Sequence, residues 1–230
     1  MTVLLQGGGE VSPGCLPMDR ELVAACPGPV VVTALAGAPG REHDTANRNG
    51  VAHYRAAGAP DVTAAPDVRS DPAGALAALR RARLVVLPGG SPGRLLQALT
   101  TTGLDEVLAG LLADGGAVMG SSAGAMVLGS WTVLPEGGAP RVAPALGLVP
   151  GVLVLPHWSG GRADWLRAVD AGVPADTLLL GVPEESGVVV RSGQLTPAGR
   201  SAPRLLRQDR DLAAGSPWSL AQGRTPGSTP

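Results

Sequence analysis

Short apolar runs alternate with helical patterns along this chain, and most of the runs end in glycine or proline. Runs such as Thr2–Gln6 and Arg83–Leu87 are too short for helices and apolar almost throughout. Continuous apolar strands that alternate with helices indicate a parallel sheet covered on both faces. Near the C-terminus, Gly187–Arg191 and Arg204–Arg207 resemble a closing antiparallel ribbon. We therefore expect an α/β three-layer sandwich with a mostly parallel sheet and a C-terminal β-ribbon.

The length of 230 residues fits one domain of the larger kind. Gly and Pro number 34 and 22, a share at which disorder has to be considered, but hydrophobic residues make up 44 % and can supply a core. The last residues are rich in Gly, Ser and Pro without a period. We expect residues 1–210 to form a single α/β domain and residues 211–230 to form a disordered tail.

Charge and composition exclude several classes of function. With 18 basic residues against 19 acidic ones and 2 % aromatics, the chain lacks what nucleic-acid binding requires. No apolar run approaches the ~20 residues of a membrane span. The N-terminus has no positive flank, so no export signal is expected, and we predict a cytoplasmic protein with no membrane partner.

Cofactor and metal sites are not indicated either. Cys15 and Cys26 have no metal-ligand spacing and are expected to be reduced thiols. After Gly7 and Gly9, the third position of a dinucleotide-binding pattern holds Ser12 rather than Gly or Ala. We therefore expect no cofactor and no metal.

Candidate loops follow the predicted strands at their carboxyl ends, which is where parallel sheets bind ligands. If the strands share one sheet, these loops meet at one edge, and that convergence predicts a functional site. The loops are Gly7-Gly8-Gly9, Pro88-Gly89-Gly90, Gly120–Gly124, Pro156-His157 and Gly181–Glu185.

The segment Gly120–Gly124 (GSSAG) fits the nucleophile-elbow pattern G-x-S-x-G. Ser122 is the central serine, at a tight turn between a strand and a helix, and Ser121 would be a bystander. The helix that follows would point its N-terminal amides at the same place, which favours an oxyanion. The pattern alone also permits a glycine-rich turn that packs a helix on a strand.

A serine nucleophile requires a base, and the base requires a carboxylate that fixes its tautomer. His157 is the best candidate for the base because it ends a predicted strand, whereas His53 lies within a helix and His43 in a charged helix entry. Two residues qualify as the acid. Glu184 follows the strand after His157, and Glu136 lies beyond the elbow helix.

Gly89 and Gly90 would offer unhindered backbone N–H groups next to a helix N-terminus. Together with the amide of Ala123, they could form an oxyanion hole. The alternative is a helix-entry turn whose glycines serve conformation only.

At these residues the chain resembles the serine peptidase family of dipeptidase E (aspartyl dipeptidase) and cyanophycinase. The resemblance runs from about Val3 to Arg207. It implies the class I glutamine amidotransferase-like fold, a flavodoxin-like sandwich. The segments that carry it are Gly7–Glu10, Tyr54–Ala59, Leu87–Leu96, Gly120–Ala125, His157-Trp158 and Gly181–Val188.

The resemblance also implies roles for individual residues. Ser122 would be the nucleophile and His157 the base, with Gly90 and Ala123 as the oxyanion amides. Of the two acids we prefer Glu184, which lies at the catalytic edge of the sheet, and we keep Glu136 as its rival.

The resemblance further places Gly9, Ser91 and Arg162 in substrate binding. Ser91 stands where relatives carry Asn or Gln, and the arginine cluster after the histidine is reduced to Arg162, with Arg167 further on. These departures argue against cyanophycin as the substrate and against a strict aspartyl preference.

We therefore expect a serine-type hydrolase that cleaves peptide or isopeptide bonds of short substrates through a Ser–His–Glu triad and an acyl-enzyme. Its partner would be a small peptide or amide substrate, and a homodimer is possible. The alternatives are an inactive member of the fold that binds a small molecule or partner, and an esterase. Against the esterase, the chain lacks a His-Gly-Gly-Gly loop and has the order Ser–His–Glu.

Overall fold

The computed structural model describes residues 1–136, 139–160, 163–213 and 217–223, with the backbone alone for residues 135, 136, 139, 163–165, 222 and 223. No helix in these ranges is long and apolar enough to cross a bilayer. The helices are α1 (Leu16–Ala25), α2 (Arg41–Ala56), α3 (Pro72–Arg80), α4 (Pro92–Thr102), α5 (Leu104–Ala113), α6 (Ala123–Leu128), α7 (Ala163–Ala171) and a 3₁₀ turn at Leu220–Gly223.

The strands fall into two sheets. They are β1 (Thr2–Gln6), β2 (Val30–Val32), β3 (Val62–Ala64), β4 (Leu84–Leu87), β5 (Ala117–Ser121), β6 (Gly129–Glu136), β7 (Ala139–Pro144), β8 (Val149–Leu155), β9 (Leu178–Gly181), β10 (Ser186–Arg191), β11 (Gln194–Gly199), β12 (Arg204–Leu205), β13 (Arg210–Asp211) and β14 (Trp218–Ser219).

The first sheet has eight strands in the order β14-β11-β10-β1-β5-β4-β2-β3. The strands β1, β5, β4, β2 and β3 are parallel, whereas β10 pairs with β1 in the antiparallel sense. This confirms the predicted α/β fold with a parallel centre. The register aligns Gln6 of β1 with Ser121 of β5, so the two strands end side by side.

The second sheet was not predicted as separate. Its order is β13-β12-β9-β8-β6-β7, with β6, β8 and β9 parallel. The sequence pattern predicts that the strands before His157 and Glu184 share a sheet with the strand before Ser122. They belong instead to this second sheet, and their ends reach the first sheet through backbone contacts.

The C-terminal ribbon also differs from the prediction in its partners. Strand β10 forms a hairpin with β11 rather than with Arg204–Arg207, and β12 pairs with β9 and β13 in the second sheet. Ser192 and Gly193 close the β10–β11 hairpin with φ of 48° and 74°. Two positive φ values at a two-residue turn match the right-handed twist of a tight hairpin.

The first sheet is the middle one of three layers. Alternate residues of its strands point to opposite faces, so Leu4 and Met119 pack with α1 and α2 in one buried cluster. Leu5 and Val118 pack on the other face with α3, α4, α5, α6 and strands of the second sheet. The strands are apolar on both faces because both faces are covered.

Two helices begin as their sequences predict. Asp71 caps α3 by accepting the Gly74 amide at 2.9 Å, and Ser91 caps α4 by accepting the Arg94 amide at 3.3 Å. A proline follows each cap at the first helical position, where its missing N–H costs nothing.

The predicted disordered tail contains ordered structure in the part that is described. Strand β14 pairs with β11 at the edge of the first sheet, with Leu195 opposite Trp218. Leu212 is buried in the main core. Residues 214–216 and 224–230 of that predicted tail lie outside the described residues.

Candidate active site

Ser122 lies at the turn from β5 into α6 with φ of 50° and ψ of −112°. A positive φ is strained for a residue with a side chain, and such strain persists only where the surroundings fix it. Here the Ser122 amide donates to the Gln6 carbonyl at 2.9 Å, which anchors the turn to the end of β1. The turn therefore has the nucleophile-elbow geometry that the sequence pattern predicts.

The glycines of the elbow are required by close packing. A Cβ at Gly120 would lie 2.4 Å from the carbonyl carbon of Gly124, and a Cβ at Gly124 would lie 2.1 Å from the Leu87 oxygen. Any larger residue would push α6 away from β5 and β4. The glycines thus set the distance between the strand end and the helix that begins after Ser122.

His157 follows β8, and its ring lies over the elbow. Its amide donates to the Gly7 carbonyl at 2.8 Å, which ties the end of β8 to the loop after β1. Its Nε2 lies 2.8 Å from the Ser122 hydroxyl oxygen. The backbone of His157 has a φ of 52°. Like Ser122, His157 therefore lies in a strained turn.

Glu184 lies in the turn between β9 and β10, with its Oε1 2.9 Å from His157 Nδ1. With a proton on Nδ1, His157 donates to Glu184 and its Nε2 accepts the hydroxyl of Ser122. The three side chains thus form one chain of two hydrogen bonds. The predicted rival acid, Glu136, has its side chain outside the described residues.

Glu185, the next residue, points elsewhere. Its carboxylate accepts hydrogen bonds from Ser12 at 2.7 Å and from Arg200 at 2.6 Å. The hydrogen bond from Ser12, followed by that from Arg200, lowers the pKa of Glu185 below its usual range. Its amide donates to the Gly8 carbonyl at 3.0 Å, so Glu185 fastens the turn that presents Glu184.

The hydrogen-bond chain is open to solvent. The side chain of His157 is 50 % exposed and that of Glu184 is 65 % exposed. Water screens the attraction between two such groups, so the carboxylate acts on the imidazole mainly through its orientation and tautomer.

The predicted oxyanion amides divide into two groups. The amides of Gly90 and Ala123 have no hydrogen-bond partner among the described residues. The amide of Gly89 already donates to Glu10 Oε1 at 2.8 Å. Two of the three predicted donors are therefore free to bind a new oxygen, while Gly89 is engaged.

Comparison with known proteins gives the family. Residues 45–196, about two thirds of the chain, match the model of peptidase family S51. This chain belongs to peptidase family S51. It is therefore a serine-type peptidase, and the resemblance that its motifs indicate is confirmed.

Solved structures share the fold of this S51 peptidase. A peptidase from an acI-B1 Actinobacterium superposes with a TM-score of 0.80 at 21 % identity, over 95 % of this chain and 96 % of that one. A peptidase E protein from Listeria monocytogenes gives a TM-score of 0.63 at 18 % identity, over 87 % and 98 % of the two chains. No curated protein matches the chain significantly.

Of the three residues predicted to bind substrate, Gly9 and Ser91 make hydrogen bonds within the protein. Gly9 lies in the loop after β1, where its carbonyl accepts the Cys15 thiol at 3.1 Å. The Ser91 side chain is used as the cap of α4, and its amide donates to the Ala36 carbonyl at 3.0 Å. Arg162 lies outside the described residues.

Glu10 of this S51 peptidase has no role that the sequence pattern predicts. Its Oε1 accepts the Gly89 amide, and its Oε2 accepts the hydroxyl of the buried Ser121 at 3.1 Å. The only sequence signal for it is its place directly after Gly7–Gly9, the glycine run that ends β1.

The other two histidines lie apart from Ser122. Between α1 and α2, fully buried Asp19 lies 2.7 Å from His53 Nε2 and accepts the Tyr54 hydroxyl at 3.2 Å. Burial raises the pKa of the Asp19 carboxyl. His43 lies 3.2 Å from the Asn47 side chain. Within the described ranges, no group of three or more His, Cys, Asp or Glu side chains could hold a metal ion.

Proposed function

We propose that this S51 peptidase hydrolyses peptide or isopeptide bonds of short substrates through a triad of Ser122, His157 and Glu184. The observation that carries the proposal is the pair of hydrogen bonds from Ser122 to His157 and from His157 to Glu184, at 2.8 and 2.9 Å. A nucleophile, a base and an orienting acid in hydrogen-bond contact are what acyl transfer requires.

In acylation, the Ser122 oxygen attacks the scissile carbonyl carbon and His157 Nε2 takes the hydroxyl proton. The carbonyl oxygen becomes an oxyanion, to which the amides of Gly90 and Ala123 donate. His157 then gives its proton to the leaving amine, and the C–N bond breaks. Glu184 holds the imidazole with Nδ1 protonated throughout, so Nε2 faces the serine.

In deacylation, water replaces the amine. His157 Nε2 takes a proton from the water, whose oxygen attacks the acyl carbon of the ester on Ser122. The same two amides hold the second oxyanion. Collapse of this intermediate returns the proton to the Ser122 oxygen and releases the carboxylic acid.

The test compares the wild type with Ser122→Ala. A fluorophosphonate probe should label the wild type and leave Ser122→Ala unlabelled. A panel of Asp-X dipeptides, general dipeptides and isoaspartyl dipeptides should include substrates whose cleavage disappears in the variant, and simple esters in the panel measure esterase activity. Ser70→Ala is the matched control, since it removes the hydroxyl of an exposed serine at the turn before α3. Absence of both labelling and cleavage that depend on Ser122 would refute the proposal.

A further inference from the structure

The two amides that stay free for an oxyanion come from two separate segments. Gly90 belongs to the loop after β4, and Ala123 begins α6 after β5. The pairing of β4 with β5 ends before either residue. In the part of the chain that the structure describes, no direct hydrogen bond joins residues 88–91 to residues 121–123. The hydrogen bonds of the sheet therefore do not fix the distance between the two amides.

The side chain of Glu10 connects these two segments. Its Oε1 accepts the Gly89 amide at 2.8 Å, and its Oε2 accepts the Ser121 hydroxyl at 3.1 Å. Gly89 directly precedes Gly90, and Ser121 lies on the same short turn as Ala123. One carboxylate from the loop after β1 thus holds both segments close to their free amides.

The loop after β4 is held on both sides of the Gly90 amide. Before it, the Gly89 amide donates to Glu10. After it, the Ser91 amide donates to the Ala36 carbonyl at 3.0 Å. The same carbonyl packs under Gly90, where a Cβ would lie 2.7 Å from the oxygen and φ is 139°. Loss of the hydrogen bond to Glu10 would release one of the two anchors of this amide.

The contact between Glu10 and the elbow is buried at its serine end. Ser121 is fully buried, and among the described residues its hydroxyl has only Glu10 Oε2 as a partner. A buried hydroxyl without a partner is unfavourable, so this hydrogen bond resists breaking. The space between the parts is small, since a Cβ on Gly89 would lie 2.9 Å from Glu10 Oε1 and 3.2 Å from Ser122 Cβ. Glu10 therefore lies tightly packed beside the nucleophile.

We propose that Glu10 is a positioning residue that sets the distance between the amides of Gly90 and Ala123. The inference rests on the proposed function, in which these two amides stabilise the oxyanion. Oxyanion donors are effective at about 2.7–3.1 Å from the charged oxygen, so both must be held at once.

Hydrogen bonds rather than charge carry this effect. A carboxylate suits the role because its two oxygens accept from two segments at the same time. A glutamine can replace it, since its amide oxygen accepts the Gly89 N–H and its NH₂ group donates to the Ser121 hydroxyl. A methionine has nearly the same length but makes neither hydrogen bond. The two substitutions remove the same charge and differ in the hydrogen bonds.

The first experiment compares the rates at which a fluorophosphonate probe labels Glu10→Gln and Glu10→Met. The probe is not a peptide, so its reaction depends on the nucleophile and the oxyanion amides rather than on substrate recognition. We expect Glu10→Met to be labelled about tenfold or more slowly than Glu10→Gln, which stays within about threefold of the wild type. Glu21→Gln on exposed α1 removes the same charge elsewhere and should match the wild type.

The second experiment separates the oxyanion amides from the nucleophile. In a Ser122→Cys background, the thiolate displaces iodide from the CH₂ carbon of iodoacetamide, a reaction that forms no oxyanion. We expect the added Glu10→Met and Glu10→Gln changes to give alkylation rates within about threefold of each other.

Peptide turnover with Ser122 intact gives a third comparison. The kcat of Glu10→Met should be about tenfold or more below that of Glu10→Gln, with KM values within about threefold, because the two amides act in the transition state. Urea unfolding of both variants shows whether either has lost its fold. If Glu10→Met does not fold, Ser121→Ala removes one of the two hydrogen bonds and should be labelled about threefold or more slowly than the wild type.

Several results would overturn the inference. Equal labelling of Glu10→Met and the wild type would mean that the two hydrogen bonds are not needed, and so would equal labelling of Ser121→Ala. Equally slow labelling of Glu10→Gln and Glu10→Met would mean that the charge acts instead. Slower alkylation as well as slower labelling in Glu10→Met would mean that the nucleophile itself is displaced. Absence of Ser122-dependent labelling and turnover in the wild type refutes the proposed function itself.

Discussion

The imidazole of His157 lies directly against the backbone of Gly8. A Cβ at Gly8 would be 2.4 Å from Cε1 of the ring and 2.7 Å from Nδ1. Gly8 also has a φ of 133°, which side-chain-bearing residues rarely adopt. The loop after β1 thus forms the surface on which the ring rests, although the ring itself comes from the second sheet.

Gly8→Ala should therefore displace the imidazole from Ser122. We expect kcat/KM to fall about 100-fold, because displacements of about 1 Å can cost this much in an aligned site. The measurement is peptidase activity together with the free energy of unfolding. Gly110→Ala in α5 is the matched control, since its added methyl meets nothing within 4 Å and should stabilise the protein by up to about 1 kcal/mol. Equal activity in the two variants would contradict the predicted displacement of the His157 ring.

Glu184→Gln tests the choice of acid. The amide can donate to Nδ1 and so favour the tautomer that carries its proton on Nε2, which cannot accept the serine proton. We expect kcat/KM to fall about 100-fold or more, with unchanged urea unfolding. The same substitution at Glu136 should have a far smaller effect. The reverse order of the two effects would make Glu136 the acid.

Asp19→Ala should lower the stability of the fold rather than affect catalysis directly. It leaves two buried groups, His53 Nε2 and the Tyr54 hydroxyl, without the carboxylate that lies 2.7 and 3.2 Å from them. We expect a loss of about 3 kcal/mol in the free energy of unfolding, measured by urea denaturation. Glu21→Ala on the exposed side of α1 is the control and should lose less than about 0.5 kcal/mol. Similar losses in both variants would mean that the cluster contributes little.

Because of Cys15, the free energy of unfolding should fall as the pH rises into the alkaline range. Burial raises the pKa of its thiol from 9.0 to about 11. The folded state thus holds the proton more tightly than the unfolded state, so this contribution is complete below pH 9 and lost as the pH rises through 11. Relative to Cys15→Ser, the wild type should lose stability between about pH 9 and pH 11 in urea unfolding. A stability difference that stays constant over this range would contradict the prediction.

Local patterns were sufficient for much of the fold and for the choice of the three residues of the proposed triad. The helices that begin at Pro72 and Pro92 start where a cap precedes a proline, and each short apolar run ends near the predicted turn. The elbow pattern placed Ser122, and the ends of two strands placed His157 and Glu184. These features depend on neighbouring residues, so a sequence pattern contains the information.

The division into two sheets could not be predicted in this way. Strand β9 is as apolar as the strands of the first sheet, and its partner is chosen by contacts between distant segments. The same holds for Glu10, which meets Gly89 across 79 positions of sequence. Glu184 and Glu185 are adjacent, yet one faces His157 and the other Arg200, because Ser12 and Arg200 draw Glu185 away.

The chain order of this S51 peptidase thus specifies which residues stand at strand ends, since strand length, turn residues and caps act within a few positions. Tertiary packing decides which strand ends meet and which donors stay free. It leaves the amides of Gly90 and Ala123 open and engages that of Gly89 with the Glu10 carboxylate. These outcomes depend on distances between segments far apart in sequence, and only the folded chain fixes those distances.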